Sequence, residues 1–437
     1  MTAKLGIRLE DKNQWETRVP LIPGDVKELV GKGLDIRVQR FPRRAFPDDL
    51  YEAAGATLVD DVGDCDLVLG VKEIPLKDFR ERQAYMFFSH TIKGQDYNMK
   101  MLAELVTKQC TLLDYETVTD AECRRLIFFG RHAGIAGAVD TLWTLGQRLE
   151  ALGQTSPFSE IQQCRHYGSM DEATDAVSAV GRRISAEGIS PALAPLVLGV
   201  TGYGNVSNGA QEILDLLPSV EVAPDDLPEF VDTNGNLTDR VVKVVYKEED
   251  LVEPKDAASQ FELQDYYSNG SDYRSKFAPH LELLTVLING IYWNTRYPRL
   301  ADETQLRDLF GADTSPRLLV VGDITCDVDG ALACTVRDTD PGDPCYVYDP
   351  ATRAAPSGFA GPGLAVMAIG NLPSELPSSA SETFSAVLTP FIGEMALADW
   401  DEPDFGQVVL PQPIKRSVIL WRGAFTPDYK FMEEYLR

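Results

Sequence analysis

The amino-acid sequence predicts an α/β protein of two domains, each a parallel sheet flanked by helices. Three observations predict it. Between residues 4 and 135, short apolar runs alternate with amphipathic segments, the pattern of strands joined by helical crossovers. A second series of apolar runs starts at PLVLGVTG and opens on a glycine-rich turn. The chain has 437 residues, 44% of them hydrophobic, enough for two separate cores.

The elements follow in order. KLGIRLE reads as a strand, PGDVKELVGKGL as a helix closing on glycine, DIRVQRF as a strand and DLYEAAGATLV as a short helix with a turn. Apolar runs from Asp66 to Val71 and from Ala84 to Phe88 are two further strands, followed by a helix from Tyr97 to Lys108 and the strand TLLDYE. A small-residue start and amphipathic spacing make Ala133 to Leu152 a helix connecting the domains. The segment DEATDAVSAVGRRISAEGIS reads as a polar stretch. Strands are then expected at PLVLGVTG, SVEV, VVKVVY, LLTVLING, RLLVVGDI, CYVYD and LAVMAIGN, a helix near Ala386 to Leu397, and a terminal helix in PDYKFMEEYLR.

Composition excludes several functions. With 67 acidic against 41 basic side chains the formal charge is −26, which repels nucleic acid and anionic membranes. No apolar stretch reaches the roughly eighteen residues of a membrane span, and the N-terminal residues lack a secretory layout. Seven scattered cysteines without a C-x-x-C pair, and four distant histidines, give no disulfide framework and no metal site. A cytoplasmic protein is expected.

The segment PLVLGVTGYGNVSNGAQEILDLL has the layout strand, glycine turn, helix. Gly202 permits the tight turn, Gly204 lets backbone approach a pyrophosphate, and Ser207 is small enough for close packing, with the helix N-terminus favouring phosphate charge. This is a Rossmann-like signature for a dinucleotide. The second strand is expected to be SVEV, whose end normally carries the acid that reads the ribose; Ala223 and Pro224 stand there instead, with Asp225 and Asp226 late and no arginine for a 2′-phosphate. The coenzyme is therefore NADP or NAD, without a choice between them.

Two of the strands end in proton-carrying side chains, Lys72 and His90. Functional groups of parallel sheets gather at carboxyl ends of strands. A buried lysine can lose its proton near neutrality and a histidine titrates there, so the two suit general acid–base chemistry. Glu116 and Asp323 also stand at strand ends. Arg8, Arg18, Arg124, Arg125 and Arg131 are candidates for clamping carboxylates, whereas Arg43 with Arg44 and Arg80 with Arg82 read as solvated surface.

The segments IRLEDKNQWETRVPLIP, LVLGVKEIP, FFSHTIKGQ, LLDYE, FFGRHAGIAGA, TGYGNVSNGAQ, LINGIYW and GDITCD, in this order, resemble the alanine dehydrogenase / saccharopine dehydrogenase superfamily. Within it the similarity is to the lysine–2-oxoglutarate reductase module of the bifunctional aminoadipic semialdehyde synthases. No second module follows, so a stand-alone version is expected.

The resemblance implies two Rossmann-like domains with the active site in the interdomain cleft. Residues 1–135, completed by 405–437, would form the substrate domain, and 136–404 the dinucleotide domain. It implies reductive amination, lysine plus 2-oxoglutarate to saccharopine or the reverse, with Lys72 and His90 as the acid–base pair. Glu73 and Glu116 would tune them or hold the amine, and Arg18 and Arg131 would contact substrate carboxylates. Gly202, Tyr203, Gly204, Asn205, Val206, Ser207, Ile291, Tyr292 and Asp323 would bind the coenzyme. Two positions depart from the family pattern, Gly370 in IGNLP and His132 beside Arg131. The alternative is another amino-acid or opine-type dehydrogenase such as alanine dehydrogenase. The expected partners are small-molecule substrates.

Overall fold

The computed structural model describes residues 3–311 and 316–437. The chain divides into two compact units, residues 1–129 with 377–437, and residues 130–376.

The first unit is built on an eight-stranded sheet. Six parallel strands form most of it: β1 (Lys4–Ile7), β2 (Asp35–Gln39), β3 (Thr57–Val59), β4 (Leu67–Leu69), β5 (Ala84–Phe87) and β6 (Thr111–Asp114). In space they run β6-β5-β4-β1-β2-β3, so β1 lies between β2 and β4. Strands β4, β5 and β6 are buried at every position, as expected of strands covered on both faces. One face packs on α1 (Pro23–Gly31), α2 (Asp48–Ala53) and a late helix, Pro377–Met395; Val26, Leu29, Tyr51, Phe384, Leu388 and Ile392 share that core. The other face packs on α3 (Asp96–Thr107) through Met101, Leu102 and Leu105.

The end of the chain returns to this sheet. Val418–Trp421 pairs antiparallel with β6, and Ala424–Phe425 turns back on it. The boundary expected at residue 404 is therefore corrected to 376. The helix from Pro377 belongs to the first unit because its apolar stripe fills that unit's core, and Ser381 and Ser385 accept hydrogen bonds from Val19 N (2.9 Å) and Ile22 N (3.0 Å). The tail, expected as a helix, is a 3₁₀ helix over Pro427–Leu436.

The second unit starts at α4 (Gly130–Ala151), followed by α5 (Met170–Glu187). The stretch read as polar is thus mostly helix α5. Ser169 caps it by accepting from Glu172 N at 3.2 Å, and Ala173, Val177, Val180 and Ile184 bury one narrow stripe.

Then come β7 (Val197–Thr201), α6 (Asn205–Leu214), β8 (Ser219–Glu221), β9 (Val241–Tyr246), the antiparallel pair β10 (Val252–Pro254) and β11 (Tyr273–Ser275), and β12 (Val286–Asn289), β13 (Val320–Asp323), β14 (Cys345–Tyr348) and β15 (Leu364–Met367). The seven-stranded sheet runs β14-β15-β13-β12-β7-β9-β8, parallel except for β14. The neighbour of β7 is therefore β9, not the strand SVEV expected there. SVEV contributes the three-residue edge strand β8, which is mostly exposed, whereas VVKVVY is almost wholly buried.

Among the described residues, no helix is long and apolar enough to cross a membrane, no group of His, Cys, Asp or Glu is arranged to hold a metal, and no disulfide joins the cysteines.

Candidate active site

Because β1 and β4 are parallel neighbours, the chain leaving β1 runs beside the chain leaving β4. Glu10 uses this proximity: its carboxylate accepts hydrogen bonds from Val71 N (2.7 Å) and Lys72 N (3.0 Å). It fixes the backbone from which the Lys72 side chain departs. Burial, with the nearby Glu16 charge, pushes the Glu10 carboxyl up to about 7 against the lowering influence of Arg8 and the two amides.

Lys72 forms no ion pair among the described residues. Its pKa is lowered, first by burial and then by the positive charge of Arg18, while Glu16 and Glu73 oppose the shift. A lysine so placed can present a neutral amine as a base.

His90 follows β5 after Phe88 and Ser89. Its backbone is left-handed, φ 50°, a conformation histidine tolerates better than most residues. Asn98 of α3 donates to its carbonyl (3.2 Å), and its ring lies nearly parallel to that of Phe88, 18° between planes. Nδ1 is 2.8 Å from Glu73 Oε1. Burial disfavours the Glu73 carboxylate, but the hydrogen bond and charge of His90, with Lys72, take its pKa down to about 2. An ionised Glu73 accepts only, so Nδ1 carries the proton and Nε2 is left for proton exchange.

Beneath them, Ser89 donates from N (3.1 Å) and Oγ to Asp114, whose carboxyl burial pushes up to about 6. Asp114 also accepts from Glu116 N at 2.8 Å, and the Glu116 carboxylate lies 3.4 Å from Arg125 Nη1.

Arg18 is buried and gripped by Glu16 through Nε (2.8 Å) and Nη2 (2.6 Å), with its guanidinium 4.4 Å from the centroid of the Phe129 ring. The first unit thus gathers Lys72, His90 and Glu73, with Arg18 close enough to act on Lys72 and Glu116 close enough to act on Asp114. Arg131 belongs to the second unit, where Glu212 holds it by two hydrogen bonds of 2.8 and 2.6 Å. Arg44, expected at the solvated surface, is buried; it pairs with Asp48 and lies 5.4 Å from the centroid of Tyr51.

Sequence reasoning missed Glu10, Glu16 and Asp114. Two of them, Glu10 in IRLE and Asp114 in TLLDYE, sit at strand ends, the signal that singled out Lys72. Glu16 stands two residues before the arginine it neutralises.

In the second unit the turn between β7 and α6 has the features a pyrophosphate needs. Gly202 has φ +85°, and its amide donates to Tyr246 O at 2.8 Å. A Cβ at Gly204 would meet nothing within 4 Å, so space lies open over that backbone. No side chain caps the α6 N-terminus, where Asn205 and Val206 present their amides. Tyr203 is 45% exposed.

Ser207 donates to Gly202 O at 2.6 Å, locking the turn. The close packing expected at Ser207 falls to Gly209 and Gly134, where an added Cβ would stand 2.1 Å from Arg131 O and 1.9 Å from Val206 O. Helices α4 and α6 therefore meet backbone to backbone. These residues fit a dinucleotide.

Ile291 packs over Gly202, with Cγ2 3.0 Å from the position of an added Cβ, and Tyr292 is 71% exposed. Asp323 is buried and accepts from Asn289 Nδ2 (2.9 Å), Thr325 Oγ1 (2.7 Å) and Thr335 Oγ1 (2.5 Å). The strand beside β7 is β9, which ends at Tyr246; Lys247 and Glu248 follow it, and Glu248 accepts from Tyr267 OH at 2.7 Å.

Residues 6–136 match the family model of the alanine dehydrogenase/PNT N-terminal domain. The alpha-aminoadipic semialdehyde synthase of Arabidopsis thaliana is 37% identical over 98% of this chain and 41% of its own length. The mitochondrial protein of that name from Bos taurus is 34% identical over 99% of this chain and 48% of its own length. The chain thus spans less than half the length of these relatives. A saccharopine dehydrogenase [NAD(+), L-lysine-forming] from Yarrowia lipolytica is 27% identical over 91% of this chain and 94% of its own. Among solved structures, an L-alanine dehydrogenase shares the fold with a TM-score of 0.62 at 17% identity, covering 99% of this chain and 100% of that one. By these matches the chain is similar over nearly its whole length to aminoadipic semialdehyde synthases and saccharopine dehydrogenases, and its residues 6–136 match the alanine dehydrogenase/PNT N-terminal domain.

Proposed function

We infer that this chain is an NAD(P)-dependent oxidoreductase that interconverts lysine plus 2-oxoglutarate with saccharopine. The observation that carries the reading is the end-to-end similarity to a saccharopine dehydrogenase, and the Lys72, His90 and Glu73 arrangement supplies the chemistry it requires.

A nicotinamide coenzyme held at the Gly202 turn supplies or accepts the hydride. The remaining steps move protons. The neutral Lys72 amine takes a proton from the incoming substrate ammonium, freeing its lone pair to attack the keto carbon. As the carbinolamine forms, its nitrogen gives up a proton and its oxygen gains one; His90, doubly protonated, then donates from Nε2 to that hydroxyl, which leaves as water, and a protonated imine remains. Glu73 keeps the imidazole in the tautomer this needs and stabilises its charged form. In this unit Arg18 and Arg125 are the arginines that receive substrate carboxylates, with Glu16 holding the Arg18 guanidinium in place.

The test is an absorbance assay with NADPH or NADH. Coenzyme oxidation is expected only when lysine and 2-oxoglutarate are both present. Oxidation with ammonia and pyruvate alone would overturn the reading in favour of an alanine-type dehydrogenase.

A further inference from the structure

A cavity of about 200 Å³ lies in the first unit at the carboxyl ends of β1 and β4. Ile7 faces the core that contains α1, whereas Arg8 turns to the opposite face, lined by Val62, Val68, Ile74 and Tyr85.

Arg8 lines this cavity with a side chain only 4% exposed. Its Nη2 is 2.7 Å from Asp11 Oδ1 and 3.8 Å from Asp78 Oδ2, but Nη1 is buried without a hydrogen-bond partner. A buried guanidinium nitrogen without a partner costs free energy that a bound acceptor restores.

Three cations line the cavity, Arg8, Lys77 and Arg80, and three carboxylates, Asp11, Asp61 and Asp78. Arg80 is paired with Asp61 at 2.9 Å. The balance of charge disfavours a dianion or a bare cation and suits a small molecule carrying one charge of each sign. We propose that this cavity is a binding site for a free α-amino acid zwitterion, its carboxylate on Arg8 Nη1 and Lys77 and its ammonium between Asp11 and Asp78.

The site is separate from Lys72 and His90, yet adjoins them. Arg8 Cδ is 3.1 Å from the position of a Cβ on Gly70, the residue before the Val71–Lys72 amides that Glu10 holds. An occupant of Arg8 therefore sits behind the backbone that carries Lys72, as an effector would.

Equilibrium dialysis of the full chain against radiolabelled glycine, which has no side chain to seek a substrate pocket, tests the proposal without coenzyme or turnover. Saturable retention of glycine is expected, weakened at least tenfold in Arg8→Lys, which keeps the charge but loses the second nitrogen, and similarly in Asp78→Asn. Acetate should compete in wild type and in Asp78→Asn but not in Arg8→Lys. If Arg8→Lys does not fold, Asp78→Asn and the exposed Lys77→Ala decide. Absence of saturable glycine binding, or binding that these variants leave unchanged, overturns the proposal and leaves the saccharopine reading untouched.

Discussion

Glu73 Oε1 stands 2.8 Å from His90 Nδ1, one residue along the chain from Lys72. The contact joins the ends of two neighbouring strands, β4 and β5, and gathers three ionisable side chains.

That contact should show in acid stability. The Glu73 carboxyl lies at about 2 in the folded chain against 4.5 as its ordinary value. A lowered folded pKa adds stability above the unfolded value, lost as pH falls through the folded one. By about 1.36 kcal/mol per unit, the ionised carboxylate contributes up to roughly 3 kcal/mol at pH 7 and about 1 kcal/mol at pH 3. Glu73→Gln should therefore be clearly destabilised in urea titrations at pH 7, and the gap to wild type should shrink at pH 3.

Replacing Lys72 by Met should remove the base and lower kcat by about 10²- to 10⁴-fold, the range of a single acid–base group. Coenzyme affinity, read by nicotinamide fluorescence, should not change. In wild type, the rate of amine condensation should fall as pH drops through the depressed Lys72 pKa, because an ammonium cannot accept a proton. A Lys72→Met enzyme that retains this limb would remove Lys72 from the mechanism.

The two glycines of the nucleotide turn should behave differently. Gly202→Ala places a Cβ at φ +85°, 3.0 Å from Ile291 Cγ2, and should cost about 1–2 kcal/mol of stability. Gly204→Ala meets open space at φ −82°, so Tm should hold while coenzyme Kd rises at least tenfold. Unchanged coenzyme binding in Gly204→Ala would mean that no pyrophosphate approaches that backbone.

Inside the second unit, Asp140 and Glu375 form a buried acid pair. Asp140 accepts from Cys164 N at 2.7 Å, and Glu375 from Gln163 Nε2 at 2.9 Å and Arg165 N at 3.0 Å. Burial raises both pKa values; the Glu375 charge raises Asp140 further, whereas a hydrogen bond from Asp140 works against the rise at Glu375. Raised folded values give stability that is complete below the ordinary carboxyl range and declines as pH rises through the folded values. Asp140→Asn should gain on wild type in thermal melts at pH 8 and lose the advantage near pH 5.

The sheets, the glycine turn and the strand-end positions of Lys72 and His90 were legible because each is written locally, as an apolar run that stops at a polar residue. What was not legible depended on partners far along the chain. Glu10 looks like an ordinary surface acid until β1 lies beside β4. SVEV and VVKVVY both read as strands, and only their burial shows that the longer, more apolar one is central. Arg44 and Arg131 exchange their expected settings because an arginine's surroundings are set by the carboxylate it meets, Asp48 in one case and Glu212 in the other.

The strand Val418–Trp421, laid against β6, has a consequence for biosynthesis. The ribosome emits the first 129 residues long before the piece that finishes their sheet, and in the meantime β6 offers an unpaired edge of the kind that invites aggregation. Residues 130–376 carry their own complete sheet and can mature while the earlier segment waits. Lys72 and His90 thus acquire their finished surroundings only once residues 377–437 have been made, and a chain interrupted before them has a mature nucleotide fold and an unfinished acid–base one.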